Sequence, residues 1–300
     1  MPIYLFENSK LKELQEKVFK LELDIQKVFE ENLDTIMGLT LVKSEFTIKS
    51  KRIDTLAYDT KAKAFIIIEY KRDRSLSVVD QGFTYLSLML ENKADFIIEY
   101  NESLKKNLKR EDVDWSQTRV AFVSTAFTEN QILATNFKDI AIELWEIKRF
   151  ENDFISVSPI KKTKAAESIK PITKQNASLN KVINEIKVYT EEEQIDAASE
   201  EIAELYDKFK GAILNLADGI EVMPQKLYIA FKKDKNIIDI QIQKKKLKLF
   251  INAKFGALDD AKKLARDVSN VGHWGNGDYQ IQVDNDKDLE YIMSLVKQVI

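Results

Sequence analysis

The sequence predicts two α/β units in tandem: a mixed-sheet domain flanked by helices, followed by a smaller α+β domain. Three observations carry that reading. Strand-like and helical segments alternate through the first half of the chain, the pattern of a mixed sheet with helices on it. A lysine-rich stretch holding two of the four prolines then breaks the periodicity. Beyond it, about a hundred residues resume with helices and a hairpin, a normal size for one more domain. Of 300 residues, 44% are hydrophobic and 32% charged, enough apolar material for real cores. Eight glycines and four prolines are few for this length, which favours long regular elements over elaborate loops.

In chain order, residues 10–37 read as one long helix, whole or broken, with Leu14, Val18, Leu21, Ile25, Val28, Phe29 and Leu33 at helical spacing, and Gly38 is a natural stop. A strand follows over 41–48. Two more, 53–58 and 64–70, are joined by a short turn at 59–63. Residues 76–92 read as a helix, 95–100 and 119–124 as strands, 126–137 as a helix and 140–147 as the last strand of a domain spanning 1–155. Residues 156–188 read as an interdomain linker, since 156–181 hold six lysines against one glutamate without an apolar period. The second domain, 189–300, is expected to hold strands over 226–231, 237–243, 246–251 and 279–283. Its helices are expected over 192–216, 258–268 and 287–300.

Composition narrows the function. The net charge is −3, from 46 basic and 49 acidic residues, so a whole-protein cationic field is absent and any nucleic-acid contact must be local. Lys49, Lys51 and Arg52 precede one hairpin strand, and Lys71, Arg72 and Arg74 follow the other. Lys105, Lys106, Lys109 and Arg110 read as a solvated face. Without cysteine there is no disulfide, thiolate nucleophile or Cys-ligated metal, which fits a reducing compartment. No basic segment followed by an apolar stretch opens the chain, and runs such as 64–68 are far too short to span a membrane. A cytoplasmic protein with no membrane partner is expected.

The chemistry concentrates on the hairpin. Ala64–Lys71 is apolar except at its end, where Glu69 and Lys71 project from the same face. Near-continuous apolar strands lie at the centre of a sheet, buried on both sides. An ionised carboxylate there costs free energy unless it is paired or binds a metal. If the turn is a two-residue loop at Lys61–Ala62, Asp54 falls directly opposite Glu69, roughly 4.5–5.5 Å away at Cβ. Two carboxylates so close repel unless one is protonated or a cation lies between them. A hard divalent ion, Mg²⁺ or Mn²⁺, suits such oxygen ligands, and Lys71 beside it suits the charge that develops at phosphorus. The plainer alternative is a strand-end salt bridge of Lys71 with Glu69 or Asp54. Gln81 and Tyr85, four apart on the next helix, share a face that can pack across the same hairpin end.

Ile53-Asp54-Thr55-Leu56, Ile68-Glu69-Tyr70-Lys71 and Asp80-Gln81-Gly82 with Tyr85, in that order, resemble the PD-(D/E)XK nuclease superfamily. The Gln-x-x-x-Tyr spacing resembles its RecB-like and NucS-like branches. The resemblance implies an α/β, restriction-endonuclease-like mixed sheet flanked by helices. It implies a metal held by Asp54, Glu69 and the main-chain carbonyl of Tyr70, with Lys71 as the catalytic lysine. It also implies a glutamate on the first core helix. Glu30 is the candidate and Glu31 the alternative, on a polar stripe shared with Glu22 and Gln26, for which solvent exposure is a competing reading. Gln81 and Tyr85 complete the expected site, and Lys51, Arg52, Arg72 and Arg74 are expected to meet nucleic acid. Ile53 stands where the superfamily usually has proline, and Asp73 weakens the positive field between Arg72 and Arg74. Trp115 and Trp145 read as core anchors.

In the second domain, residues 265–278 hold the single histidine and three of the eight glycines, which points to a tight turn ahead of the strand at Tyr279. His273 and Trp274 are expected to tie that loop to a helix carrying Arg266; a small-ligand or phosphate site around Arg266, Asp267, His273 and Trp274 is the weaker alternative. The region resembles a domain of unknown function that recurs beside nuclease-like domains and elsewhere goes by the description predicted transport protein. A binding or dimerisation module, and so a homodimer, is the expectation. The function implied for the whole chain is a Mg²⁺- or Mn²⁺-dependent endo- or exonuclease acting on DNA, in repair or in defence against foreign DNA. The alternative is a catalytically inactive nuclease fold that binds nucleic acid or protein.

Overall fold

The computed structural model describes residues 2–72, 78–163, 165–173, 176–233, 235–271 and 276–300. The chain divides into two compact units, Met1–Val188 and Tyr189–Ile300. No helix among the described residues is long and apolar enough to cross a membrane.

The first unit opens with a hairpin of β1 (Tyr4–Glu7) and β2 (Lys10–Glu13), then β3 (Glu16–Lys17). This corrects the first part of the helix, whole or broken, expected over 10–37. Asn8 and Ser9 both adopt positive φ (50° and 60°), the geometry of a tight hairpin turn, and that turn overrides the helical spacing before Phe19. Helix begins only at α1 (Glu22–Glu31), where the Asp24 carboxylate accepts the Leu21 N–H at 3.0 Å, and resumes as α2 (Leu33–Met37). Gly38 closes it in the left-handed region.

β4 (Thr40–Ile48), β5 (Lys51–Asp59) and β6 (Ala64–Lys71) follow as an antiparallel meander. The turn between β5 and β6 spans four residues rather than two. Asp59 pairs with Ala64, and the Asp59 carboxylate accepts the N–H groups of Lys61 and Ala62, both at 2.9 Å. Its centre nonetheless falls at Lys61 and Ala62, so the register pairs Thr55 with Ile68 and brings Asp54 alongside Glu69.

α3 (Val78–Glu91) and α4 (Lys93–Leu104) come next, then β7 (Arg119–Ser124), α5 (Glu129–Thr135), β8 (Ile142–Phe150) and β9 (Ile155–Pro159). The sheet runs β3-β8-β7-β6-β5-β4, with β9 on β8. β6, β7 and β8 are parallel and the outer strands antiparallel, a mixed sheet flanked by helices. On one face Phe65 and Ile67 of β6 join the core of α3 and α4; on the other Ile66, Ile68 and Tyr70 join that of α1.

Two expectations fail here for physical reasons. Residues 95–100 are helical, not a strand, because Phe96 and Tyr100, one turn apart, pack onto Phe46, Tyr58 and Phe65. Residues 156–188 are not a free linker. After β9, α6 (Lys170–Thr173) and α7 (Ala177–Glu185) fold back so that Ile169, Val182, Ile183 and Ile186 enter the first core, and Lys93 pairs with Glu185. Leu179, Val182, Ile183 and Ile186 carry a helical period that the lysines before them obscure.

The second unit begins with α8 (Glu191–Ile195) and α9 (Glu200–Leu214), one expected helix split in two. β10 (Glu221–Pro224), β11 (Ile229–Lys232), β12 (Asn236–Gln243), β13 (Lys246–Ile251), β14 (Arg266–Asp267) and β15 (Tyr279–Val283) form an antiparallel sheet ordered β10-β11-β12-β13-β15-β14. α9 and α10 (Leu289–Lys297) share a core with alternate residues of those strands, such as Ile238, Ile240, Leu247, Leu249 and Ile281. The helix expected over 258–268 is absent. Asp260 takes the Ala265 N–H (2.8 Å) and the Tyr291 hydroxyl (2.7 Å), and Lys263 turns to φ 52°, so local side-chain bonding wins over helix.

Since Ile183 is 3% exposed, Ile183→Ala is expected to lower the urea-unfolding free energy of the chain by about 2–5 kcal/mol. A change within about 0.5 kcal/mol, as on a solvated tether, would contradict the packing described.

A candidate active site where two strands part

β5 and β6 are paired up to Thr55 and Ile68, and there the backbone ladder stops. Side chains take over the hydrogen bonding. The Asp54 N–H donates to Glu69 Oε1 (3.1 Å), and the Tyr70 N–H donates to Asp54 Oδ2 (3.0 Å). Each carboxylate is thereby fixed by the backbone of the opposite strand. Glu69 is 2% exposed. Its Oε2 accepts from Gln81 Nε2 at 3.0 Å and faces Lys71 Nζ at 3.5 Å, and the Lys71 side chain is itself only 15% exposed.

Gln81 and Tyr85 come from α3, which packs close against the sheet. Gly82 explains the approach, since a Cβ there would stand 2.4 Å from Ile142 Cδ1. Gln81 Nε2 also meets the Tyr85 hydroxyl at 3.2 Å, and that hydroxyl donates to the Arg52 carbonyl at 3.3 Å. One turn of α3 therefore braces both strands of the hairpin.

α1 supports the same point from the other face. Gln26, 5% exposed, donates to the Asp54 carbonyl (3.0 Å), Glu30 Oε1 (3.0 Å) and Ser44 Oγ (3.1 Å). The Thr55 hydroxyl donates to Glu30 and lies 3.1 Å from the Tyr70 hydroxyl. Glu30 thus sits with Thr55 and Tyr70 on the α1 side, whereas Glu69 faces α3. The α1 carboxylate that reaches the open end of β6 is Glu22, whose Oε1 accepts the Arg72 N–H at 2.9 Å. Glu22 is four residues before Gln26, on the polar stripe visible in the sequence; Ser44 and Thr55 carried no comparable signal.

The electrostatics follow from burial. Desolvation, and then the Asp54 charge, push the Glu69 carboxyl up to about 7, against the Asp54 N–H bond, the Lys71 charge and the neighbouring Tyr85 hydroxyl, which pull it down. Asp54 is also raised, by burial first, with the Tyr70 N–H and Lys71 opposing. Burial and the nearby Glu69 raise the Tyr85 hydroxyl, which stays protonated and able to donate.

The donor set fits a hard divalent cation on one count. Asp54 Oδ1 accepts no hydrogen bond among the described residues, and each acid destabilises the other's charge. Among the described residues no group of three or more His, Asp or Glu side chains is placed to hold a metal. Mg²⁺ commonly takes one or two carboxylates and fills its shell with water and substrate phosphate, so two acids meet that need.

The expected basic residues divide. Lys51 and Arg52 are exposed, with Arg52 held to Glu45 at 3.0 Å, and Arg72 Nη1 donates to the Lys20 carbonyl at 3.0 Å. Arg74 lies outside the described residues, as do His273 and Trp274. Glu31 is exposed. Arg266 and Asp267 are exposed on the short strand β14, not on a helix, and Asp267 accepts the Ser269 N–H at 2.9 Å. Gly277, at φ 88°, cannot carry a side chain, since a Cβ would stand 2.1 Å from the Ile251 carbonyl oxygen. Trp115 stacks on Phe65 (5.5 Å) and Trp145 meets Phe29 edge-on (6.5 Å), both as core anchors.

Three comparisons bear on this chain. Residues 191–298 match the family model described as Domain of unknown function (DUF5655). A protein of Haemophilus influenzae, described as uncharacterized, is 55% identical over 300 residues, covering 100% of this chain and 99% of that one. Among solved structures, an EndoMS–dsDNA2 complex is similar with a TM-score of 0.29 and 18% identity, over 46% of this chain and 54% of that one. A repair endonuclease from Pyrococcus abyssi is similar with a TM-score of 0.24 and 17% identity, over 43% and 48%. The matched region thus spans about half the length of each solved chain.

Raised carboxyls bind protons more tightly folded than unfolded, so their contribution is present at low pH and lost as pH rises from the ordinary value toward the folded one. For Glu69 that window runs from 4.5 to about 7. With chelator present, raising the pH across it is expected to destabilise the parent relative to Glu69→Gln by on the order of 3 kcal/mol. A gap between the two that stays flat with pH would mean Glu69 titrates as an exposed acid does.

Proposed function

We propose that this chain, which belongs to one family with the Haemophilus influenzae protein, is a divalent-metal-dependent nuclease that hydrolyses DNA phosphodiester bonds. The observation that carries the reading is the convergence of Lys71, Gln81 and Tyr85 on the pair formed by buried Glu69 and half-buried Asp54. Asp54, Glu69 and the Tyr70 carbonyl would hold Mg²⁺ or Mn²⁺, which when bound supplies Lewis-acid polarisation of a phosphoryl oxygen and activation of water.

The chain's own groups do the rest. Lys71, largely enclosed, presents a cationic donor for the charge that develops on phosphoryl oxygens in the transition state. Gln81 orients Glu69 and, with Tyr85, keeps the mouth of the hairpin at fixed width. Gln26 and Glu30 act at one remove, holding the Asp54 carbonyl and Thr55 from behind. Lys51, Arg52, Arg72 and Arg74 are proposed to meet the phosphate backbone, where charge positions the substrate without reading sequence. Repair or defence in the cytoplasm is the proposed setting, and a binding or dimerisation role is proposed for the second unit.

Labelled single-stranded, duplex, flap and RNA substrates, each with Mg²⁺, Mn²⁺ or EDTA, test the reading. A DNA substrate should be cut with metal and not with EDTA. Glu69→Ala should lower the rate by roughly 10³-fold or more while the protein stays folded. Cleavage undiminished in EDTA, or a Glu69→Ala protein as fast as the parent, would contradict it.

A further inference from the structure

The chain turns from edge strand β3 into α1 through Val18, Phe19 and Lys20, and this turn and the outer face of α1 wall a groove of about 740 Å³. Lys17, Lys20, Lys27 and Arg149 line it. From this lining we infer that the groove binds a single-stranded segment of nucleic acid on its way to or from the end of β6. The inference rests on the nuclease reading, because it supplies that site with a track for its substrate.

Charge is the first support. In a chain of net charge −3, four cations face this groove against two acids, Asp24 and Glu31. Asp24 is committed to the α1 cap, its Oδ2 accepting the Leu21 N–H at 3.0 Å. Arg149 is shared with Asp153 at 2.9 Å, but Lys17, Lys20 and Lys27 have no ion pair among the described residues. Unpaired lysines on one concave wall suit phosphates, whose neutralisation releases condensed counterions.

Continuity is the second. The Lys20 carbonyl accepts from Arg72 Nη1, and the Arg72 N–H is held by Glu22, so the groove's rim is bonded to the residue that follows Lys71. Apolar surface is the third. Val18 is 81% exposed and Val28 half-buried, presenting apolar contact to bases or sugars. A duplex hides its base faces in the stack, whereas a single strand can lay them on a protein surface.

The test uses the full chain and a variant carrying Lys17→Glu, Lys20→Glu and Lys27→Glu, checked by thermal unfolding. Fluorescence anisotropy of a labelled oligothymidylate, in chelator and over a range of salt, reads binding without cleavage. The variant is expected to bind more than tenfold more weakly at low salt, and its log–log salt slope should be shallower by about 2, three contacts at roughly 0.7 each. Its hydrolysis of bis(p-nitrophenyl) phosphate with Mn²⁺ should equal the parent's, since a small diester does not need the groove. Parental affinity and slope in the variant overturn the groove. So does loss of binding to phosphatidylserine vesicles with oligonucleotide binding intact, which would make the groove a lipid contact. If even the parent, with Mn²⁺, cuts neither the small diester nor the oligothymidylate, the nuclease reading falls, while the anisotropy comparison in chelator still judges the groove.

Discussion

Where β5 and β6 stop exchanging backbone hydrogen bonds, Asp54 and Glu69 take over by accepting each other's strand through its N–H groups. This exchange holds two carboxylates together in a place where both resist ionisation. A sheet that merely ended there would expose the two acids to water and let them drift apart. Here the strands part, but the side chains keep them in register, so the acids are preorganised before any partner arrives.

The rest of the first unit serves that point from two sides. Gly82 lets α3 settle low enough for Gln81 to reach Glu69, and Tyr85 returns the contact to the backbone of Arg52. On the other face, Gln26 is almost wholly buried with its amide spent on three acceptors, one of them the carbonyl of Asp54. Both helices also carry the apolar cores that fix the sheet, so the polar braces inherit the rigidity of the packing around them.

Much of this was legible in the sequence. The greasy strand ending in Glu69 and the Gln81/Tyr85 spacing place five groups at one hairpin end, and the two-residue loop expected at Lys61 and Ala62 gives the observed register because the actual four-residue turn has the same centre. What was hidden had local causes. Positive φ at Asn8 and Ser9 turned an apparent helix into a hairpin, and the Asp260 carboxylate replaced a helix with a turn. The run Phe96-Ile97-Ile98 looked like a strand until Phe96 and Tyr100 found the aromatic cluster of β4 and β5. Residues 156–188 looked like a tether because lysines dominate the count, while four apolar residues decide the packing. The resemblance implies Glu30 or Glu31 on the first core helix, but only the path of β6 decides that Glu22 meets Arg72 and Glu30 meets Thr55.

As proposed above, the Asp54–Glu69 pair is a cation site rather than a proton-sharing pair kept for structure. Isothermal titration of Mn²⁺ into the parent and into Asp54→Ala, above pH 7 where Glu69 is ionised, addresses it directly. Saturable binding is expected in the parent, with proton release as the pH is lowered toward 7, and its loss in Asp54→Ala. A parent that takes up no Mn²⁺, or an Asp54→Ala protein that binds it equally well, would mean that the pair is not a cation site.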